Sequence, residues 1–105
     1  MQQIIISGTL LTDAAKFTDK NGREFTRFTV TCGETDITGK TVYTHYRCTC
    51  YLIGYGKMTK GDQVFITGKF LPKLETDDKG KYYMALNVMV SNLTGGYRHS
   101  ERNKK

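Results

Sequence analysis

Five successive stretches of this chain read as strands, and in four of them apolar residues recur at every second position, the spacing of a strand with one face turned to a core. Gln3 to Leu11 opens with Ile4, Ile5 and Ile6, whose β-branching suits extended backbone. Glu24 to Cys32 alternates Phe28, Val30 and Cys32 inward with Phe25, Arg27, Thr29 and Thr31 outward. In Thr41 to Tyr51 one side holds Val42, Thr44, Tyr46, Cys48 and Cys50, mostly small and expected to enter the core. The other side holds Tyr43, His45, Arg47, Thr49 and Tyr51. Gln63 to Phe70 sets Val64, Ile66 and Phe70 against Phe65, Thr67 and Lys69, and Tyr82 to Val90 turns Met84, Leu86, Val88 and Val90 inward.

Turn chemistry separates the stretches: Lys20-Asn21-Gly22, Thr38-Gly39, Lys60-Gly61-Asp62 and the tip from Asp77 to Gly80. Phe17 and Phe25 flank the first of these, placed either to pair across a hairpin or to offer rings to a ligand. Gly54 to Lys60 is too short and too glycine-broken for more than a turn of helix. Pro72 lacks an amide donor, so its strand must bend or reach an edge there. From Gly95 onward apolar periodicity ends and disorder is expected. With no amphipathic helix evident, the pattern predicts an all-β barrel or sandwich over residues 1–96, followed by a flexible basic tail over 97–105.

At 105 residues the chain supports one domain with a modest core, a size at which pairing with copies of itself adds stability. Sixteen Lys and Arg against ten Asp and Glu give a net charge of +6, which favours an acidic partner such as nucleic acid or an anionic membrane. No apolar run approaches membrane-spanning length, and the N-terminus lacks the basic start and cleavage site of a signal peptide, so no membrane partner and a cytoplasmic location are expected. Cys32, Cys48 and Cys50 are odd in number and read as reduced thiols serving as small hydrophobes. They make a poor metal site, because His45 lies on the opposite strand face and His99 in the tail. A nucleophile with its base, a carboxylate pair and a phosphate loop are all missing, so no enzyme and no cofactor are expected.

The outward side of Thr41 to Tyr51 interleaves rings with a guanidinium, the equipment for stacking bases and neutralising phosphates on a single nucleic-acid strand. Tyr43, Tyr51, Tyr55 and Phe65 occupy outer-face or loop positions, whereas Tyr46, Phe28 and Phe70 fall on the inward parity. Lys69 and Lys73 line one face of their strand.

In order, the blocks I-I-I-S-G-T-L, Asn21-Gly22, H-Y-R-C-T-C-Y, K-G-D-Q-V-F-I-T-G-K-F and G-K-Y-Y-M-A-L-N-V-M-V resemble those of a bacterial-type single-stranded-DNA-binding protein over Gln3 to Gly96. The resemblance implies a five-stranded OB-fold barrel. It also implies sequence-independent binding and protection of single-stranded DNA in replication, recombination or repair, and a homo-oligomer, a tetramer ahead of a dimer. His45 stands where the family has a tryptophan, Arg47 at its neighbouring arginine, and Tyr51 at a stacking phenylalanine. Lys16, Lys60 and Lys73 match basic positions, and Arg27 and Lys57 complete the expected contacts. Departures accompany the match: the chain has no tryptophan, stacking platforms near Asp36 and Glu75 are lost, and the helix before Lys60 is shortened. The family's acidic, partner-recruiting tip has no counterpart before the basic Asn-Lys-Lys end, although replication proteins stay possible partners. Two other readings fit the same segments, a primosomal replication-restart OB protein and an OB protein-interaction module whose outer aromatics form an interface.

Arg98, Arg102, Lys104 and Lys105 against Glu101 make the tail a cationic segment able to reach neighbouring phosphates. Deleting the residues after Gly96 should weaken oligo-dT binding at low salt and leave the fold intact, as read by gel shift and circular dichroism. Tighter binding after deletion would mean that the tail competes with the nucleic acid.

Overall fold

A computed structural model describes residues 2–51 and 58–97. They form six strands: β1 (Gln3–Leu10), β2 (Ala15–Thr18), β3 (Glu24–Thr35), β4 (Thr41–Cys50), β5 (Gln63–Thr76) and β6 (Tyr82–Tyr97). The sheet order is β1-β5-β6-β4-β3-β2, and β1 also pairs with β3, so five strands close into a ring with β2 attached at the edge of β3. All five predicted stretches are strands, in the all-β OB arrangement expected. The additional strand is β2, where Phe17 sits directly opposite Phe25.

Two short contacts close the ring. On one side Thr9 and Leu10 of β1 pair with Thr31 and Val30 of β3. On the other, Arg47, Cys48 and Thr49 of β4 run parallel to Asn87, Val88 and Met89 of β6. Ile6, Leu10, Val30, Cys48, Ile66 and Val88 fill the interior, each at most 3% exposed. Tyr46 and Phe70 meet edge to face at its margin, with ring centroids 6.4 Å apart. Cys48 and Cys50 are buried and Cys32 is half-buried, and burial pushes the Cys48 thiol up to about 12.

Several inward assignments are corrected by the length of the hairpins. β3 and β4 stay paired out to Thr35 and Thr41, and β5 and β6 out to Thr76 and Tyr82, whereas β4 and β6 touch only from Arg47 and Asn87 onward. Beyond that contact both hairpins project as two-stranded arms, with no second layer among the described residues to cover them. Val42 and Met84, each expected in the core, are therefore 53% exposed, and Leu86 is only half-buried. In β6 the alternation also changes phase. Gly68 opposes Val90 and Thr67 opposes Asn92, so Ser91 is an extra residue and Leu93, not an even-numbered neighbour, turns inward. Over residues 95–97 the expected disorder is corrected, because Gly95 pairs with Val64 and Tyr97 with Gln63, while the rest of the expected basic tail, 98–105, lies outside the described residues.

Pro72 does reach an edge. The amide of Phe70 donates to the Gln2 carbonyl, so the residue two further on points its missing N–H to the same side, where pairing with β1 has ended at Lys69. The hairpin tips share one construction. Asp19, Asp36 and Asp77 each accept at Oδ1 from the amides two and four residues on, and a glycine with φ of 84°, 88° or 81° sits in third place after the aspartate. Only glycine adopts that φ without strain, and a cation, Arg23, Lys40 or Lys81, follows it each time.

At the Ser91 bulge β5 and β6 approach closely. A methyl group on Gly68 would collide with the Met89 carbonyl and come within 3.0 Å of Val88 Cγ1. Gly68→Ala should thus cost on the order of 1–3 kcal/mol, by overpacking against backbone, and lower the urea midpoint followed by far-UV circular dichroism. An unchanged midpoint would show that the bulge yields freely.

Candidate nucleic-acid interface

The outward residues of β3, β4 and β6, with the far half of β5 and the edge strand β2, enclose a groove of about 810 Å³. Its cations are Arg27, Arg47 and Lys73, all singled out from the sequence, and its acids are Asp13 and Glu75. Strand alternation places them together: Arg27 on β3 lies opposite Thr49 of β4, and Lys73 of β5 lies two residues from Glu75 on the same face.

Arg47 is held from two sides. Its Nη2 donates to Glu75 Oε2 at 2.9 Å, and its Nε donates to Asn87 Oδ1 at 3.1 Å. The Tyr83 hydroxyl donates to the other Glu75 oxygen at 2.8 Å. That hydroxyl and then the Arg47 guanidinium keep the Glu75 carboxyl below its ordinary value, and the carboxylate in turn raises the Tyr83 phenol. The guanidinium is thus oriented across the groove floor with a carboxylate where another anion would bind.

Beside the groove runs a ladder of rings across β2, β3 and the residue that follows β4. Phe17 and Phe25 stack with centroids 5.6 Å apart, and Phe25 and Tyr51 follow at 5.2 Å. The Arg23 guanidinium carbon lies 4.7 Å from the Tyr51 ring centre and that of Arg27 lies 5.5 Å from the Phe25 ring centre. The Tyr51 hydroxyl donates to Asp19 Oδ2 at 3.1 Å, tying the end of the ladder to the β2–β3 turn. The Arg23 amide, foremost among its donors, holds the Asp19 carboxyl below its ordinary value. Desolvation and then Asp19 itself raise the Tyr51 phenol.

The other expected contacts are dispersed. Tyr43 and His45 share the outer face of β4 with Arg47 but lie out along the arm, with the Tyr43 ring covering Gly33. Phe65 and Lys69 are exposed on the near half of β5, opposite Ser7 and Gln3 of β1. Lys16 points to the reverse face of β2 from Phe17. The Lys60 amide donates to Asp13 Oδ1 at the rim. Tyr55 and Lys57 lie outside the described residues. Of the ladder, Phe17 and Phe25 were legible as flanking the Asn21-Gly22 turn. Arg23 was not singled out, although its place directly after Gly22 marks it, and nothing local in the sequence joins Glu75 or Asn87 to Arg47.

Five strands closed into a ring, with an outer groove and an edge hairpin, have the architecture of an OB fold. A solved chain titled "Plasmodium falciparum SSB complex with ssDNA" superposes with a TM-score of 0.66 and 13% identity, over 90% of this chain and 94% of that one. That likeness establishes an SSB-like OB fold. No protein-family model and no curated protein matches the sequence.

Because the folded state holds Asp19 and Glu75 below their ordinary values of 3.8 and 4.5, their contribution is complete above those values and is lost as pH falls through the lower folded ones. The thermal midpoint should drop on acidification from about pH 5 to about pH 2, and Asp19→Asn should flatten that drop. An identical acid slope in the variant would remove Asp19 from the account.

Proposed function

We propose that this protein binds single-stranded DNA without sequence preference along the groove, acts without catalysis, and protects exposed strands during replication, recombination or repair in the cytoplasm. The observation that carries the reading is the meeting of three cations, Arg27, Arg47 and Lys73, with a cation-capped aromatic ladder on one outer face of an OB ring. Cations in a track bind phosphates of any sequence, and rings accept any base. The Plasmodium SSB complex with ssDNA supports the same partner. A bacterial-type affiliation rests on the ordered sequence blocks.

We further propose a homo-oligomer. Ile5 is 69% exposed and Phe65 48% exposed, and they share the outer face of the β1–β5 pair away from the groove. Apolar surface of this kind suits burial against a copy. The same two side chains favour a second reading, an OB module that binds proteins. Oligo-dT titration separates the two, since such a module would leave the oligonucleotide free.

Fluorescence titration of labelled oligo-dT across salt tests the groove. Arg47→Ala should flatten the slope of log affinity against log salt by about 0.7, the change expected when one phosphate is no longer neutralised. Glu75→Gln should tighten binding at low salt, because it frees the guanidinium from its internal anion. Absence of binding by the parent protein would overturn the reading, and native mass spectrometry showing only monomers at micromolar concentration would overturn the oligomer.

A further inference from the structure

We infer that Phe17, on the edge strand β2, is the platform that receives a nucleobase, and that Tyr51 supports this platform from inside the ladder. The inference rests on the single-strand reading above and assigns the base contact to a ring that the sequence left between hairpin packing and a ligand.

The ladder has a closed end and an open end. Adjacent strands lie about 4.8 Å apart, so one outward ring per strand gives a row of rings in contact. The observed centroid steps of 5.2 and 5.6 Å follow from that spacing. At the closed end Tyr51 has Phe25 beside it, Arg23 over its ring and Asp19 on its hydroxyl. The middle ring, Phe25, meets Tyr51, Phe17 and the Arg27 guanidinium. Phe17 has one ring neighbour among the described residues, and it is 46% exposed.

Two further observations point the same way. Among the described residues β2 pairs only with β3, and no further strand of them continues the row past Phe17. Of the three rings only Phe17 lines the groove, together with Ala15 on its own strand face and Arg27 directly opposite Ala15. A base stacked on Phe17 would extend the row by one ring, over a methyl floor, with a guanidinium beside it for the adjoining phosphate. Packing of Phe25 and Tyr51 behind Phe17 restricts the platform before the base arrives, which reduces the ordering cost of binding.

The test uses the full chain with oligo-dT. Phe17→Ala should weaken binding about 5- to 150-fold, the effect expected of removing one stacking platform, with an unchanged salt slope. The chain has no tryptophan of its own, so the emission of Phe17→Trp reports this position alone and should be quenched on saturation with oligo-dT. Ultraviolet crosslinking of iodouracil-substituted oligo-dT to the parent should mark Phe17. Parent-like affinity in Phe17→Ala, unquenched emission at saturation, or crosslinks at Tyr51 with none at Phe17 would each overturn the assignment while leaving single-strand binding in place. Failure of the parent itself to bind would remove the functional reading and the platform with it. Should Phe17→Ala unfold, as judged by circular dichroism, the tryptophan emission and the crosslink decide.

Discussion

Three residue pairs, Arg47–Asn87, Cys48–Val88 and Thr49–Met89, make the parallel contact between β4 and β6 that converts a string of hairpins into a closed ring. On its inner side this contact seals Cys48 and Val88 into the core, both at most 1% exposed. On its outer side it sets Asn87 within reach of Arg47 and brings the β5–β6 hairpin close enough for Glu75 to complete the hold. The groove exists because strands distant in sequence are joined here. Burial on one face and ion pairing on the other are two consequences of the same backbone registry.

Electrostatically the groove is poised and not simply positive. Glu75 engages Arg47, and Asp13 lies at the rim, so the net charge of +6 reaches the groove floor partly neutralised from within. An exposed pair of this kind stabilises the fold little, because solvent screens it. Its larger effect is on orientation, since an arginine held at two points presents its remaining donors in a defined direction.

The fold was legible to the extent that period-2 alternation reports a half-buried strand. Phe28, Val30, Cys48, Val64, Ile66 and Val88 all face inward as their parity requires. Parity misleads where a second condition fails. Val42 and Met84 obey the alternation but lie beyond the reach of any covering layer among the described residues, and Leu93 follows a bulge that shifts the count by one. Strand β2 escaped because its four residues are all exposed and so carry no inward signal. Within the site, Arg27, Arg47, Lys73 and Tyr51 were legible from face and charge. The Glu75 and Asn87 partners were not, because they stand 28 and 40 residues from Arg47 and only the tertiary fold brings them together.

The parallel course of β4 and β6 gives the molecule a direction. Both strands begin at a hairpin tip, so the turns at Asp36 and Asp77 project from one end, while the turn at Asp19, from which antiparallel β3 departs, belongs to the other. The outline is that of a two-pronged fork. Lys40 tips one prong and Lys79 and Lys81 the other, each prong closed by the same self-capping loop and neither contributing to the ring. Prong length is therefore a free dimension of this architecture: residues can be added or removed in opposed pairs behind either tip, changing how far the fork reaches while the pairing register of the ring stays as it is.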